Sequence, residues 1–142
     1  MTYGLDTTFL VQVDVADHPR HEAARELRDR LLGEGHGFAL APQVIAEYLH
    51  IVTDPARFEQ PTSMAVALRH TRMWWDAVEV TRVVPGDEAV ERLHQLMEQH
   101  SLGRKRILDT LLAATYAAAG IMVIISSNGR DFRRFFDQVI EV

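Results

Sequence analysis

The sequence predicts an α/β protein, a three-layer α/β/α sandwich with a central, mostly parallel sheet of about five strands. Short apolar segments of strand type alternate along the chain with longer segments whose apolar residues recur at helical spacing. This alternation implies parallel strands that are covered by helices on both faces. The 142 residues, 47% of them hydrophobic and 25% charged, suffice to bury one core. We therefore predict a single domain over residues 1–142.

Five strands and five helices are predicted in order. The first strand ends at Leu5, and Asp17 and Pro19 are expected to begin the first helix, which the glycines from Gly33 to Gly37 terminate. Pro42 suits the first turn of the second helix, and Gly120 ends the fifth. The later strands are "GFAL", "VEVTRVV", "IMVIIS" and "QVIEV". The later helices are "APQVIAEYLHIV", "TSMAVALRHTRMWWDA", "GDEAVERLHQLMEQHSLG" and "ILDTLLAATYAAAG". The segment "SNGRDF" is predicted as a turn.

Composition excludes several classes of protein. Without cysteine the chain has neither a disulfide framework nor a cysteine zinc site, and without an apolar run of roughly 20 residues it predicts no membrane span. We expect a cytoplasmic protein with no leader. The net charge of −5 does not attract nucleic acid, so such binding would need a local patch. Arg104 and Lys105 in "GRKRI" and Arg130 in "GRDFRRFF" are candidates, although both segments also suit solvated loops or helix ends.

Acidic side chains map to one edge of the predicted sheet. Asp6 follows the first strand, Glu47 is placed near the start of the second helix and Asp109 in the first turn of the fifth, while Asn128 and Asp131 follow the "IMVII" strand. In parallel α/β sheets each helix begins at the edge where the preceding strand ends, and ligands bind at that edge. Glu47 and Asp109 also have apolar neighbours one helical turn away, so both acids lean toward the apolar side of their helices.

Carboxylates that lean together raise one another's pKa unless a cation intervenes. Oxygen ligands without cysteine or paired histidines favour Mg²⁺ or Mn²⁺, and Mg²⁺ usually completes its shell with waters and substrate phosphate. The pattern therefore indicates phosphodiester hydrolysis by a metal-activated water. No nucleophilic motif competes, because the chain has no cysteine and no G-x-S-x-G elbow.

Each acid also has a purely structural interpretation. Asp109 in a first helical turn suits a cap, and Asp131 before Phe132 suits the start of a short helix. Glu47 reads equally as a partly exposed helix acid, and Asp6 as a strand-end aspartate that bonds a turn. The convergence of all four acids at one edge is what favours the functional interpretation.

The segments "LDTTFLV", "APQVIAEYLHIVTDPARF", "ILDTLLAATYAAAG" and "IISSNGRDFRRF" resemble the successive motifs of the PIN domain, in particular of VapC-type toxins from toxin–antitoxin modules. The resemblance spans nearly the whole chain and rests on the order and spacing of the motifs. It implies an α/β/α sandwich that acts as a Mg²⁺-dependent ribonuclease, is usually a homodimer, and is silenced by a cognate antitoxin.

Carried over by position, the resemblance makes Asp6, Glu47 and Asp109 the acids of the first three motifs, with Asp6 and Asp109 as metal ligands and Glu47 as ligand or water-orienting base. Asn128 or Asp131 fills the fourth position, depending on how the turn aligns. Ser126 matches a small hydroxyl position and would hold a metal-bound water.

Three other functions compete with a ribonuclease. A phospho-accepting receiver domain needs a lysine at the end of a late strand, whereas Lys105, the only lysine, precedes a helix. A haloacid-dehalogenase-type phosphatase needs an aspartate where Thr8 stands. A non-catalytic PIN-like module that only binds a partner stays open because the fourth acid is uncertain. For a dimer, the region of Trp74 is the expected interface.

Overall fold

The computed structural model describes residues 1–142 and contains one sheet of five strands that are all parallel. The strands are β1 (Thr2–Leu5), β2 (Gly37–Leu40), β3 (Val80–Arg82), β4 (Val123–Ile125) and β5 (Gln138–Ile140), and their order across the sheet is β3-β2-β1-β4-β5. In the register Gly4 pairs with Ala39 on one side and with Ile124 on the other. The predicted three-layer α/β/α class is confirmed.

Seven helices connect the strands. They are α1 (Thr7–Asp14), α2 (His21–Gly33), α3 (Pro42–Val52), α4 (Met64–Asp76), α5 (Asp87–Gln99), α6 (Ile107–Ala118) and α7 (Gly129–Phe132), and one 3₁₀ turn over Arg104–Arg106 precedes α6. Helices α1 to α4 pack against one another, and α5 packs against α6. Because parallel crossovers are right-handed, the reversal of strand order after β3 puts these two groups on opposite faces of the sheet.

The first helix, α1, was not predicted. Its segment "TTFLVQVD" contains four β-branched residues and a short apolar run, a composition that by local propensity suits a strand. Phe9, Leu10 and four other residues of its eight are buried, so its side chains contact the core on almost every side and leave no amphipathic periodicity to read. Burial in the tertiary structure decides the helix here.

The start of α2 corrects a second prediction. Asp17 and Pro19 lie in turns before the helix, which begins at His21 with Arg20 at its N-cap. The backbone N–H of Arg20 donates to His18 Nδ1 at 3.0 Å, and His21 Nδ1 lies 3.0 Å from the carbonyl oxygen of Gln12. These side-chain contacts hold the connection from α1 as a turn and delay the helix by about one turn.

The remaining elements follow the prediction, apart from their ends and the segment "SNGRDF". That segment, predicted as a turn, contains the short helix α7 with Asn128 at its N-cap. A single cluster of 27 buried apolar residues forms the core. At its centre the Tyr116 hydroxyl donates to the carbonyl oxygens of Leu5 and Ala39 at 2.6 and 3.1 Å, and a Cβ at Gly4 would lie 2.9 Å from the Tyr116 ring. No helix is long and apolar enough to span a membrane.

Candidate active site

The carboxyl ends of β1 and β4 lie side by side at one edge of the sheet. Leu5 pairs with Ile125, so Asp6 and Ser126 follow directly at neighbouring strand ends. The backbone N–H of Asp6 donates to the carbonyl oxygen of Ile125 at 3.1 Å, and Ser126 N–H donates to Ile140 at 3.0 Å. Helices α1, α3 and α7 also begin at this edge, which is where the topology of an α/β sheet places a ligand.

Asp6 is buried, with 5% of its surface exposed, and is held by hydroxyl groups. Ser126 Oγ and Thr8 Oγ1 donate to Asp6 Oδ2 at 2.6 and 2.9 Å. The backbone N–H groups of Ser127 and Asn128 in turn donate to the oxygens of Thr8 and Ser126, at 3.0 and 2.9 Å. Burial raises the pKa of Asp6, and the hydrogen bonds oppose that rise without cancelling it. Hydroxyls alone therefore leave this buried carboxylate short of positive charge.

Glu47 lies further along its helix than the sequence suggested. It is the sixth residue of α3 and is exposed, while Val44, three residues before it, is buried and Ile51, four residues after it, is half-buried. Thr7 Oγ1 donates to Glu47 Oε2 at 2.9 Å, which ties the acid to the residue that follows Asp6. The two threonines of the motif "LDTTF" thus have different partners, since Thr8 holds Asp6 and Thr7 holds Glu47.

Asp109 is the third residue of α6, half-buried, and its side chain does not cap the helix. Its pKa is raised to about 6, first by burial and then by the negative charges of Asp6, Asp131 and Glu47, while Arg106 lowers it. A charge acts over this range only when it is near. The four predicted acids therefore form one electrostatic cluster.

The fourth predicted position divides between two residues with different surroundings. Asp131 lies in α7, half-buried, and forms an ion pair with the Arg106 guanidinium. Asn128 is exposed, at the N-cap of that helix, and lines the cleft that Glu47 and Asp109 also line. Asp131 thus has an ion-pair partner, whereas neither Asp6 nor Asp109 forms an ion pair.

The predicted basic residues lie close to this edge. Arg104 and Lys105 are exposed in the 3₁₀ turn immediately before α6, and Arg130 is exposed in α7. Arg130 lines a polar cavity of about 460 Å³ together with Asn128 and Asp131. Exposed cations therefore occur in two of the segments that form this edge, although the protein as a whole carries a net charge of −5.

The donor set suits a hard divalent cation in its chemistry, but it is not assembled as a finished metal centre. No three acidic or histidine side chains stand in metal-binding geometry. Asp6, Glu47 and Asp109 nevertheless supply only oxygen, and the pKa values of Asp6 and Asp109 are raised, which marks a deficit of positive charge.

Asp109 makes the stability of the metal-free protein depend on pH. Its pKa is about 6 in the folded protein against an ordinary value of 3.8, so the folded protein holds this proton to higher pH than the unfolded chain does. The contribution of Asp109 to the free energy of unfolding is fully present below about pH 4 and is lost as the pH rises through about 6. We expect Asp109→Asn to stabilise the protein relative to wild type more at pH 7 than at pH 4, as urea unfolding in EDTA would measure. The matched variant Asp137→Asn, at an exposed acid, should show no such difference. The prediction would be contradicted if the free energies of unfolding of wild type and Asp109→Asn changed with pH in parallel.

Residues that sequence reasoning missed hold the predicted ones in place. Thr7 and Thr8 orient two of the acids, and Arg106 neutralises a third. A hydroxyl pair directly after a strand-end aspartate was visible in "LDTTF" as a signal. Nothing in "GRKRI" distinguished Arg106 from Arg104 or Lys105, because only the packing of the 3₁₀ turn against α7 decides which cation turns inward.

The fold and this cluster of acids define a class of protein. The model of the PIN domain matches residues 3–136, and the chain belongs to that family. Its curated relatives include Ribonuclease VapC31 of Mycobacterium tuberculosis, which is 30% identical over 131 residues, or 92% of this chain and 91% of the relative. Ribonuclease VapC25 of the same organism is 28% identical over the same length. The resemblance read from the sequence is confirmed.

Solved structures share the fold along the full chain. VapC20 of Mycobacterium tuberculosis, described as a toxin that cleaves the sarcin-ricin loop, superposes with a TM-score of 0.72 at 15% identity, over 100% of this chain and 98% of that one. VapBC2 of Rickettsia felis, solved with a DNA fragment of its promoter, gives a TM-score of 0.68 at 18% identity, over 99% and 98% of the two chains. At such identities the likeness concerns the fold alone.

Proposed function

We propose that this protein is a divalent-metal-dependent endoribonuclease, the toxin of a VapBC-type toxin–antitoxin module, and that it cuts RNA phosphodiester bonds by attack of an activated water. One observation carries the proposal: Asp6, Glu47 and Asp109 come from three separate segments and form one electrostatic cluster in which burial and mutual repulsion raise the pKa of Asp109 to about 6. The relatives named as VapC ribonucleases support the same activity.

Asp6 and Asp109 would hold Mg²⁺, or Mn²⁺, at the strand edge, and Glu47 would act on the water beside the ion. The bound ion would supply positive charge to the phosphate oxygens and would lower the pKa of a water molecule, so that the water can lose a proton and attack. Asp6 is held by Ser126 and Thr8, so its carboxylate keeps one orientation while the substrate arrives. Glu47 is exposed and tethered by Thr7, which leaves its other oxygen free to accept a proton from the attacking water.

The cations around the cluster would position the substrate. Arg104, Lys105 and Arg130 are exposed and suit the phosphates that flank the scissile bond. Arg106 forms an ion pair with Asp131, which offsets part of the repulsion between that acid and an approaching phosphate. Asn128 contributes a neutral amide at the same edge.

Two protein partners belong to the proposal, a cognate antitoxin and a second copy of the chain. Several structures with this fold are described as toxin–antitoxin complexes, among them one from Klebsiella pneumoniae. For the second copy, an apolar groove of about 370 Å³ between α3 and α4, lined by Pro42, Ile45, Leu68 and Trp75, offers a face to cover. Trp74 faces inward from the same helix, since its Nε1 donates to Asp14 at 2.9 Å and its ring packs against Phe38.

Metal depletion tests the activity directly. We expect the purified protein to cleave a mixed single-stranded RNA in Mg²⁺ or Mn²⁺, to lose cleavage in EDTA, and to regain it when the ion is returned in excess, as gel electrophoresis of end-labelled RNA would show. Asp137→Asn should behave as wild type, because Asp137 lies at the start of β5, at the opposite edge of the sheet. Cleavage that persists in EDTA would refute the proposed mechanism, and no cleavage under any condition would favour the non-catalytic module.

A further inference from the structure

A cleft of about 560 Å³ opens directly beside the acidic cluster, between α3 and α6. Glu47 and Asp109 lie along it together with apolar side chains and Asn128. Its volume is within the range of roughly 300–1,000 Å³ that is typical of small-molecule sites. Whatever occupies this cleft lies next to the bond that the acids would cleave.

The cleft has an apolar wall where a phosphate site would need donors. Leu108 directly precedes Asp109 and is 77% exposed, although it is a large apolar side chain. Ile51 lies one helical turn after Glu47, and Leu111 adds to the same wall. Each of the two acids therefore has an apolar neighbour in the cleft. Such a wall favours a flat apolar group rather than a charged one.

Two side chains of the cleft are suited to stacking. His50 and Arg57 are exposed, and Arg57 contacts Asp54 only through Nε, at 3.6 Å, so the face and the outer nitrogens of its guanidinium remain available. Unpaired RNA bases stack on imidazole rings and guanidinium planes as well as on aromatic rings. The cleft thus combines an aliphatic wall with two planar polar groups.

The cleft adjoins a polar cavity of mixed charge on its other side, in which Arg133 is paired with Glu141 at 2.6 Å. Asn128 lines both the cleft and the polar cavity that contains Arg130 and Arg133. An RNA strand that crosses the acidic cluster at Asn128 would therefore have the exposed Arg130, which has no ion-pair partner, on one side and the apolar wall on the other. Single-stranded RNA matches this alternation, because each phosphate is attached to a nucleoside with an apolar base face.

We infer that the cleft is a nucleobase subsite. It takes the base of one unpaired nucleotide adjacent to the scissile phosphate, with Leu108 and Ile51 against the base face, and these two side chains determine which substrates are cut efficiently. The inference rests on the proposed ribonuclease function and adds to it that efficient cleavage requires a base at one defined position beside the scissile phosphate.

Abasic RNA tests the subsite by cleavage. In a set of single-stranded RNAs, each lacking one base near the cleavage site, we expect one position to lower kcat/KM by about tenfold or more, in keeping with the strength of stacking in single-strand binding sites. Leu108→Ser should lower cleavage of intact RNA by a similar factor and should abolish the sensitivity to that abasic position. Val78→Ser, at a valine that is 100% exposed elsewhere, is the matched control and should behave as wild type. Equal cleavage of all abasic RNAs by wild type would overturn the inference while leaving the ribonuclease intact.

Binding measurements decide the question independently of cleavage. With labelled RNA and the Asp6→Asn variant in Mg²⁺, fluorescence anisotropy should give a Kd at least about fivefold weaker for the sensitive abasic RNA than for intact RNA. Adding Leu108→Ser should remove that difference. Equal Kd values in the first variant would overturn the subsite even if no RNA were ever cleaved. If Leu108→Ser changed only the oligomeric state in size-exclusion chromatography, the cleft would be a protein contact and the inference would be wrong.

Discussion

Asp6→Asn is expected to lower RNA cleavage by at least about 10³-fold, which corresponds to about 4 kcal/mol of transition-state stabilisation. Asp6 is the only buried member of the acidic cluster, and its orientation is held by Ser126 and Thr8. The asparagine oxygen can still accept from these hydroxyls, but the amide nitrogen cannot replace a carboxylate oxygen as a ligand. Rates of cleavage of a single-stranded RNA in excess Mg²⁺ measure the effect.

The same substitution should not unfold the protein. Burial raises the pKa of Asp6, so in the absence of a cation the ionised carboxylate destabilises the fold, and a neutral isostere removes that penalty. We expect the Tm of Asp6→Asn in EDTA at pH 7 to equal or exceed that of wild type. Asp137→Asn is the matched control for both measurements. If Asp6→Asn folds and cleaves at the wild-type rate, Asp6 is not a ligand, and Asp109→Asn at the half-buried position tests whether the cluster acts at all.

A divalent cation is expected to stabilise the folded protein strongly. A ligand at 100 times its Kd adds about 2.7 kcal/mol, and for a chain of this length each kcal/mol raises Tm by about 2–4 °C, so Mn²⁺ should raise Tm by about 5–10 °C. The physical reason is the charge deficit of the site, because a cation relieves both the burial of Asp6 and the repulsion that raises the pKa of Asp109 to about 6. Thermal scans at pH 7 with and without Mn²⁺, at constant ionic strength, measure the shift.

The stabilisation should depend on the cluster and not on surface acids. Asp6→Asn should remove most of the shift with Mn²⁺, whereas Asp137→Asn should retain it. Lowering the pH to about 5 should weaken the Tm shift of wild type. Asp109, with its pKa of about 6, is then largely protonated, and the proton competes with the metal for its carboxylate. A Tm that does not respond to Mn²⁺ at pH 7 would favour the non-catalytic module over the nuclease.

Much of the fold follows from local pattern. Five strands, five of the seven helices and a mostly parallel sheet could be predicted because strand and helix periodicities alternate and because Pro42, Gly33 and Gly120 mark the ends of elements. The helix α1 could not be predicted, since burial of six of its eight residues removes the one-sided pattern by which a helix is recognised. The short α7 is equally hidden, because four residues between Asn128 and Arg133 are too few to show a period.

For the candidate site, the location of the acids could be predicted from the sequence, but their surroundings could not. Asp6, Glu47 and Asp109 could be assigned to one edge from topology alone, because successive strand ends and helix starts in a parallel sheet meet there. Their individual surroundings could not be assigned, since Glu47 is exposed, Asp109 is half-buried and Asp6 is buried. Those differences depend on how α3 and α6 pack against the sheet.

By itself the sequence determined the fold class, the family and the edge at which the acids gather, because each of these depends on the order and spacing of residues along the chain. Only the tertiary structure decided that Thr7 and Thr8 hold different acids, that Arg106 pairs with Asp131, and that an apolar cleft with Leu108 in its wall opens beside Asp109. These features join residues from separate segments whose side chains meet through packing, and packing distances are not encoded in the spacing of any one segment.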